Sequence, residues 1–184
     1  TKDYVWENKY RPSRLKDVIL PQDYRNFFNK IVESGASMNL ILASSTPGTG
    51  KSTVAKALAH DLDAEFMFIN ASDENGIETV RDKITGFAAG MAFNGKPKLI
   101  ILDEPVNGLD PAQIIQFRKI IKNASKSKTV FVSTHLMQEV EALCDYIYIL
   151  HNGCIAEKGT KDEIKAKYNC SSIEDAFLKI TGES

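Results

Sequence analysis

The chain has 184 residues, 43% of them hydrophobic and 26% charged, which suits one domain with a substantial core and excludes a disordered or low-complexity chain. A net charge of −1 without a basic stripe argues against an autonomous nucleic-acid binder. No apolar run reaches the length of a membrane span, and the opening Thr1-Lys2-Asp3-Tyr4 does not read as a signal peptide. Cys144, Cys154 and Cys170 are odd in number and widely spaced, so reduced thiols in a cytoplasmic protein are expected, not a disulfide framework or a zinc site.

Trp6 to Pro12 reads as extended, because Pro12 biases Arg11 away from helix, and Gln22 to Ser34 reads as a helix. Asn39 to Ser44 is short, apolar and strand-like. The turn Ser45-Thr46-Pro47-Gly48-Thr49-Gly50-Lys51-Ser52 follows it. Thr53 to Leu62 then reads as a helix with Val54, Leu58 and Leu62 on one face. Strand, glycine-rich turn and helix form the context of a phosphate-binding loop. Gly48 and Gly50 let the backbone curl with its N–H groups inward, and the helix N-terminus adds partial positive charge. Lys51 reaches the β- and γ-phosphates of a nucleotide, and the Ser52 hydroxyl ligates Mg²⁺. Ser45 stands where the usual pattern has glycine.

Glu65 to Asn70 reads as a second strand, and Ser72 or Asp73 as the cap of the next helix. Asn94-Gly95-Lys96-Pro97 reads as a surface seam between two parts of the chain. Lys98 to Glu104 is a buried strand with two carboxylates at its C-terminal end, where ligands bind in open α/β sheets. There Asp103 holds Mg²⁺ and Glu104 orients or deprotonates the attacking water. Asp110-Pro111 reads as N-cap and first residue of a helix. A strand from Thr129 should lie between the loop strand and the acidic strand, placing His135 where it senses the γ-phosphate. Tyr146–Leu150, the turn Asn152-Gly153 and Ile155–Glu157 read as a hairpin, with His151 at the surface beside the turn. Lys161–Tyr168 and Ile173–Ile180 read as helices.

Two resemblances overlie this reading. Lys9-Tyr10-Arg11-Pro12, Asp17-Val18-Ile19, the loop beginning at Ser45, and Asn70-Ala71-Ser72-Asp73-Glu74 with Gly76 to Arg81 are similar to the ATPase subunits of sliding-clamp loaders. These are AAA+ proteins, and the bacteriophage type looks closest. The resemblance implies an adenine pocket walled by Tyr10, Arg11, Pro12, Val18 and Ile19. It also implies a helix that faces DNA inside a subunit ring, with Arg81 and Lys83 as candidate phosphate contacts. Glu104-Pro105-Val106-Asn107-Gly108-Leu109-Asp110-Pro111 resembles the Walker B and D-loop segment of ABC-transporter ATPases. Thr129 to His135 resembles their H-loop strand, and the match continues through Glu139–Asp145, Tyr146–Gly159 and Ser172–Phe177. Together the resemblances imply a designed hybrid of two P-loop NTPase families, clamp-loader-like over 1–96 and ABC-like over 97–184.

The expected fold is one three-layer α/β P-loop domain: a mostly parallel sheet flanked by helices, with a C-terminal hairpin and helices. The expected function is binding of ATP or ADP with Mg²⁺, with at most slow hydrolysis. Nucleotide contacts fall on Ser45 to Thr53, metal contacts on Ser52 and Asp103, and catalysis on Lys51, Glu104 and His135. Slow turnover is expected because Thr85 to Lys96 stands where an ABC signature would be, and no arginine finger of the clamp-loader type is found. DNA binding without a ring assembly, transport and clamp loading are not expected of the chain alone, and any self-association should be weak. The alternatives are a folded scaffold with a malformed site and a module that joins a clamp-loader-like assembly.

Overall fold

In a computed structural model, residues 10–35, 40–44, 50–70, 76–90, 95–151 and 154–182 are described. The strands are β1 Leu40–Ser44, β2 Glu65–Asn70, β3 Lys98–Asp103, β4 Thr129–Thr134, β5 Tyr146–His151 and β6 Cys154–Thr160. The helices are α1 Gln22–Ser34, α2 Lys51–Asp61, α3 Ile77–Ala89, α4 Pro111–Ala124, α5 Met137–Leu143, α6 Lys161–Tyr168 and α7 Ile173–Thr181. The strands form one sheet in the order β2-β3-β4-β1-β5-β6. The first five are parallel, and β6 runs antiparallel to β5 at the edge. As expected, β4 lies between the acidic strand β3 and the loop strand β1.

The layers follow from the alternation of side chains along buried strands. Leu99 to Leu102 form a continuous apolar run, the pattern of a strand covered on both faces. Leu99, Ile101 and Phe131 enter one core with α1, α2 and the single-turn segment Leu15–Asp17. Ile100, Leu102, Val130 and Val132 enter the other, with α3, α4, α5, α6 and α7. Helices on both faces give the expected three-layer α/β architecture.

Helix ends follow local chemistry. Gly35, at φ 74°, takes the left-handed conformation that closes α1. Asp110 and Gln113 form a reciprocal box at the start of α4. Asp110 Oδ1 accepts from the Gln113 amide at 2.8 Å, and Gln113 Oε1 accepts from the Asp110 amide at 3.0 Å. Thr160 and Glu163 build the same device on α6, and Ser172 caps α7. One expected cap is corrected. The N-cap of α3 is Gly76, which offers no side-chain acceptor, while Ser72 and Asp73 lie outside the described residues.

Side-chain anchors hold the periphery. Asp61, the last residue of α2, accepts from Arg14 Nη1 at 3.0 Å and from the Leu15 amide at 2.9 Å. Pro97 accepts from the Glu65 amide at 2.9 Å, so the loop from Gly95 leads directly into β3 beside β2. Glu141 on α5 accepts from Lys165 Nζ at 2.8 Å and from the Ile173 amide at 2.9 Å, fixing the two C-terminal helices. Asn152-Gly153 lies outside the described residues, and the β5–β6 ladder shifts register at Ile149/Leu150. His151 is half-buried at the end of β5, less exposed than expected.

Candidate functional site

The C-terminal ends of β1, β3 and β4 bring the chemistry together. Asp103 ends β3 and is paired in register with Ser133 of β4. Ser133 is paired with Leu42 of β1, and Thr134 with Ala43. Two residues beyond Leu42, β1 ends, and α2 begins with Lys51 after Gly50. Gly50 has φ 85°, a left-handed turn that a residue with a Cβ adopts at a cost. Ser45, Thr46, Pro47, Gly48 and Thr49 lie outside the described residues.

Lys51 is only 6% exposed. Burial pulls its pKa down, and the nearby carboxylates of Glu104 and Asp103 oppose that pull. Its neighbour Ser52 donates from Oγ to Asp103 Oδ2 at 2.5 Å, across 51 residues of sequence. Thr53 is half-buried on the same turn of α2. The described part of the site is therefore a desolvated cation beside a hydroxyl–carboxylate pair. Such an oxygen pair suits a hard divalent ion such as Mg²⁺, which keeps part of its water shell and takes its remaining ligands from phosphates. A buried ammonium at a helix N-terminus suits the phosphates themselves. The residues present fit Mg²⁺ and nucleotide.

Glu104 sits at a bend. Its φ of 47° is left-handed, uncommon for a residue with a side chain, and its amide donates to the Ser133 carbonyl at 2.8 Å. The backbone thus leaves β3 sharply while staying bonded to β4. Glu104 Oε2 lies 2.8 Å from His135 Nδ1, 3.4 Å from Thr134 Oγ1 and 3.4 Å from the His135 amide. For His135 to donate in this pair, the ring proton must be on Nδ1. All three contacts fall on Oε2.

Two participants went unnoticed in the sequence. Thr134 is fully buried; its Oγ1 approaches Glu104 and also accepts from the Leu136 amide at 3.1 Å, shaping the turn that carries His135. Ser133 is fully buried beside Asp103, and its Oγ has no partner among the described residues. The signal was available: two hydroxyl residues in succession at the C-terminal end of an otherwise apolar strand.

The residues inferred to wall the base divide. Val18 is buried in the core with α1 and α2, whereas Ile19 is 99% exposed. Tyr10 is 67% exposed, and Arg11 and Pro12 are half-buried. Asp110 serves as the cap of α4, as expected for the isolated chain. Arg81 lies 3.6 Å from Glu78 and 3.7 Å from Asp82 on the exposed face of α3. Among the described residues no cluster of three or more histidine, cysteine or acidic side chains could hold a metal, and no helix is long and apolar enough to cross a membrane.

Comparison with known proteins bears on these geometries. Residues 41–144 match the family described as AAA, the ATPase family associated with various cellular activities. The sliding-clamp-loader large subunit of Escherichia phage RB69 is 46% identical over 104 residues, which cover 56% of this chain and 32% of that protein. The replication factor C small subunit of Sulfurisphaera tokodaii is 32% identical over 148 residues, 77% of this chain and 45% of that protein. The chain therefore spans less than half the length of these curated relatives. Among solved structures, the Thermotoga maritima RuvB Holliday junction branch migration motor aligns with a TM-score of 0.54 at 16% identity, covering 90% of this chain and 55% of that one. The ATP binding subunit of an ABC transporter aligns with a TM-score of 0.53 at 20% identity, covering 78% of this chain and 88% of that one. At these identities the likeness is one of fold. The family match runs unbroken through Asn94 to Pro97, so the expected junction there, and with it a designed two-family hybrid, is not supported. The ABC-like motifs are short and local, and they fall on a sheet that both families share.

Proposed function

This chain belongs to the AAA family of ATPases, and from that premise we propose that it binds Mg·ATP across the C-terminal ends of β1, β3 and β4 and hydrolyses it slowly. One observation carries the reading: buried Lys51 lies next to the Ser52–Asp103 pair, with Glu104 on the adjoining turn. A buried ammonium between carboxylates is an arrangement poised for an anionic ligand that brings its own cation.

In this reading Lys51 and the amides at the start of α2 bind the phosphates. Ser52 and Asp103 hold Mg²⁺, which when bound screens the phosphate charge and polarises the transferred group. Glu104 takes the proton of the attacking water on Oε1, with Oε2 held by Thr134 Oγ1 and, before nucleotide binds, by His135 Nδ1. His135, 41% exposed in its side chain, is placed to give up the carboxylate and donate to a γ-phosphate oxygen. Turnover is slow in the chain alone because a cation supplied by a neighbouring subunit contributes roughly 10³–10⁵ in rate in related NTPases. The clamp-loader and replication-factor names of the relatives support placing this chain as one nucleotide-binding unit of a multi-subunit loader acting on DNA. Tyr10 and Ile19 are both exposed at the surface.

The test is a Mg·ATP titration with a turnover assay on the parent chain and on Glu104→Gln. Binding in both with turnover only in the parent supports the reading. Equal turnover removes Glu104 as the base, and absence of binding in a folded parent leaves the malformed-scaffold alternative.

A further inference from the structure

The structure assigns a positioning role to the buried ion pair Arg118–Glu139, which ties the helix following the catalytic carboxylate to the helix following the sensor histidine. The inference rests on the reading of Glu104 and His135 given above. Glu139 is 3% exposed, in the first turn of α5. Arg118, on α4, donates from Nε to Oε2 at 3.1 Å and from Nη2 to Oε1 at 2.5 Å. Both carboxylate oxygens are thus engaged in a bidentate fork, the geometry that fixes orientation as well as distance.

The pair has a place in a closed circuit. From Glu104 the chain makes two tight turns, with the Asn107 amide on the Glu104 carbonyl at 3.2 Å and the Leu109 amide on Val106 at 3.2 Å. It then enters α4 through the Asp110 cap, and Arg118 lies two turns along. From His135 the chain turns at Leu136, whose carbonyl accepts from the Glu139 amide at 3.0 Å. Glu139 is therefore one helical turn from the sensor. The circuit closes where His135 Nδ1 meets Glu104 Oε2 at 2.8 Å. Among the described residues, polar links join the two arms around Glu104 and again, farther out, at Arg118–Glu139. The outer link keeps α5, and with it His135, in register with the arm that carries Glu104.

Apolar contacts alone would also join α4 and α5, for Phe117, Ile121, Met137 and Val140 share one core. Apolar contact tolerates sliding and rotation, whereas a bidentate fork does not. The Arg118 side chain is 32% exposed, so the pair extends from the buried Glu139 carboxylate to the outer surface of α4. A partner that touched α4 there would act on the position of His135.

The experiment replaces the pair with apolar residues, Arg118→Met with Glu139→Met, because removing both charges from a buried pair often leaves stability intact whereas removing one does not. The double variant should keep the parent's melting temperature and bind Mg·ATP within about twofold of it, with turnover down about tenfold. Adding His135→Ala to it should cost less than His135→Ala costs in the parent, since the two act through one contact. Full turnover in a stable double variant, or independent multiplication of the two losses, would overturn the role. The nitrogen-15 ring signals of His135 give a readout independent of hydrolysis. They should shift in the double variant even if the parent proves inactive, and unchanged signals in a folded variant would overturn the inference on their own.

Discussion

Replacing Lys51 with methionine separates the cost of the site from its use. In the free chain Lys51 is 6% exposed and its amine is subject to opposed effects: burial disfavours its charge, and Glu104 and Asp103 favour it. Methionine keeps much of the length, removes the desolvation cost and loses the attraction. Burial is the larger of the two, so the free variant should be at least as stable as the parent. With nucleotide the balance changes. A ligand at a hundredfold excess over Kd stabilises the folded state by about 2.7 kcal/mol. For a domain of this size that is roughly 5–11 °C in melting temperature, at about 2–4 °C per kcal/mol. Thermal unfolding of parent and Lys51→Met with and without Mg·ATP reads both terms. The parent should rise by that amount and Lys51→Met should rise little. A variant that kept more than half of the shift would refute the assignment of Lys51 to the phosphates.

Asp110→Ala removes the side-chain acceptor of the box on α4 while leaving the main-chain N–H that donates to Gln113 Oε1, and should cost about 1 kcal/mol by chemical denaturation, whereas Asp110→Asn should cost much less. Asp103→Asn should leave the fold cooperative and raise the Mg²⁺ concentration needed for half-maximal nucleotide binding at least tenfold, measured by titration at fixed ATP. Glu141 has its pKa held below the ordinary 4.5, first by the Ile173 amide and then by Lys165. A depressed carboxylate contributes stability above its unfolded pKa and loses it as pH falls through the folded value. The parent should therefore lose its advantage over Glu141→Gln as pH falls below about 4.5, in paired denaturation curves. Burial pushes the Cys144 thiol up, while Cys154 is exposed, so a maleimide should label Cys154 in the native chain and Cys144 only on unfolding, read by mass spectrometry.

The sequence by itself determined what is local. The bounds of α1, β2 and α6 were legible to the residue, because apolar periodicity, Gly35 as a stop and the Thr160–Glu163 box are all written within a few positions. The phosphate turn, the carboxylates ending β3 and the cap at Asp110 were legible for the same reason. Only the tertiary structure decided how distant pieces meet. Val18 and Ile19 are adjacent and equally apolar, yet one enters the core and the other is exposed, because burial depends on which way the chain turns against α1 and α2. The pairing of Glu104 with His135, the short Ser52–Asp103 contact and the Arg118–Glu139 fork join residues 31, 51 and 21 positions apart. Those pairs exist only because the sheet sets β4 between β3 and β1. The order of strands comes from the packing of the whole chain, and no local pattern contains it. The same reason explains the hybrid expectation: short motifs carry local chemistry, and two families that share one sheet can write similar motifs onto it.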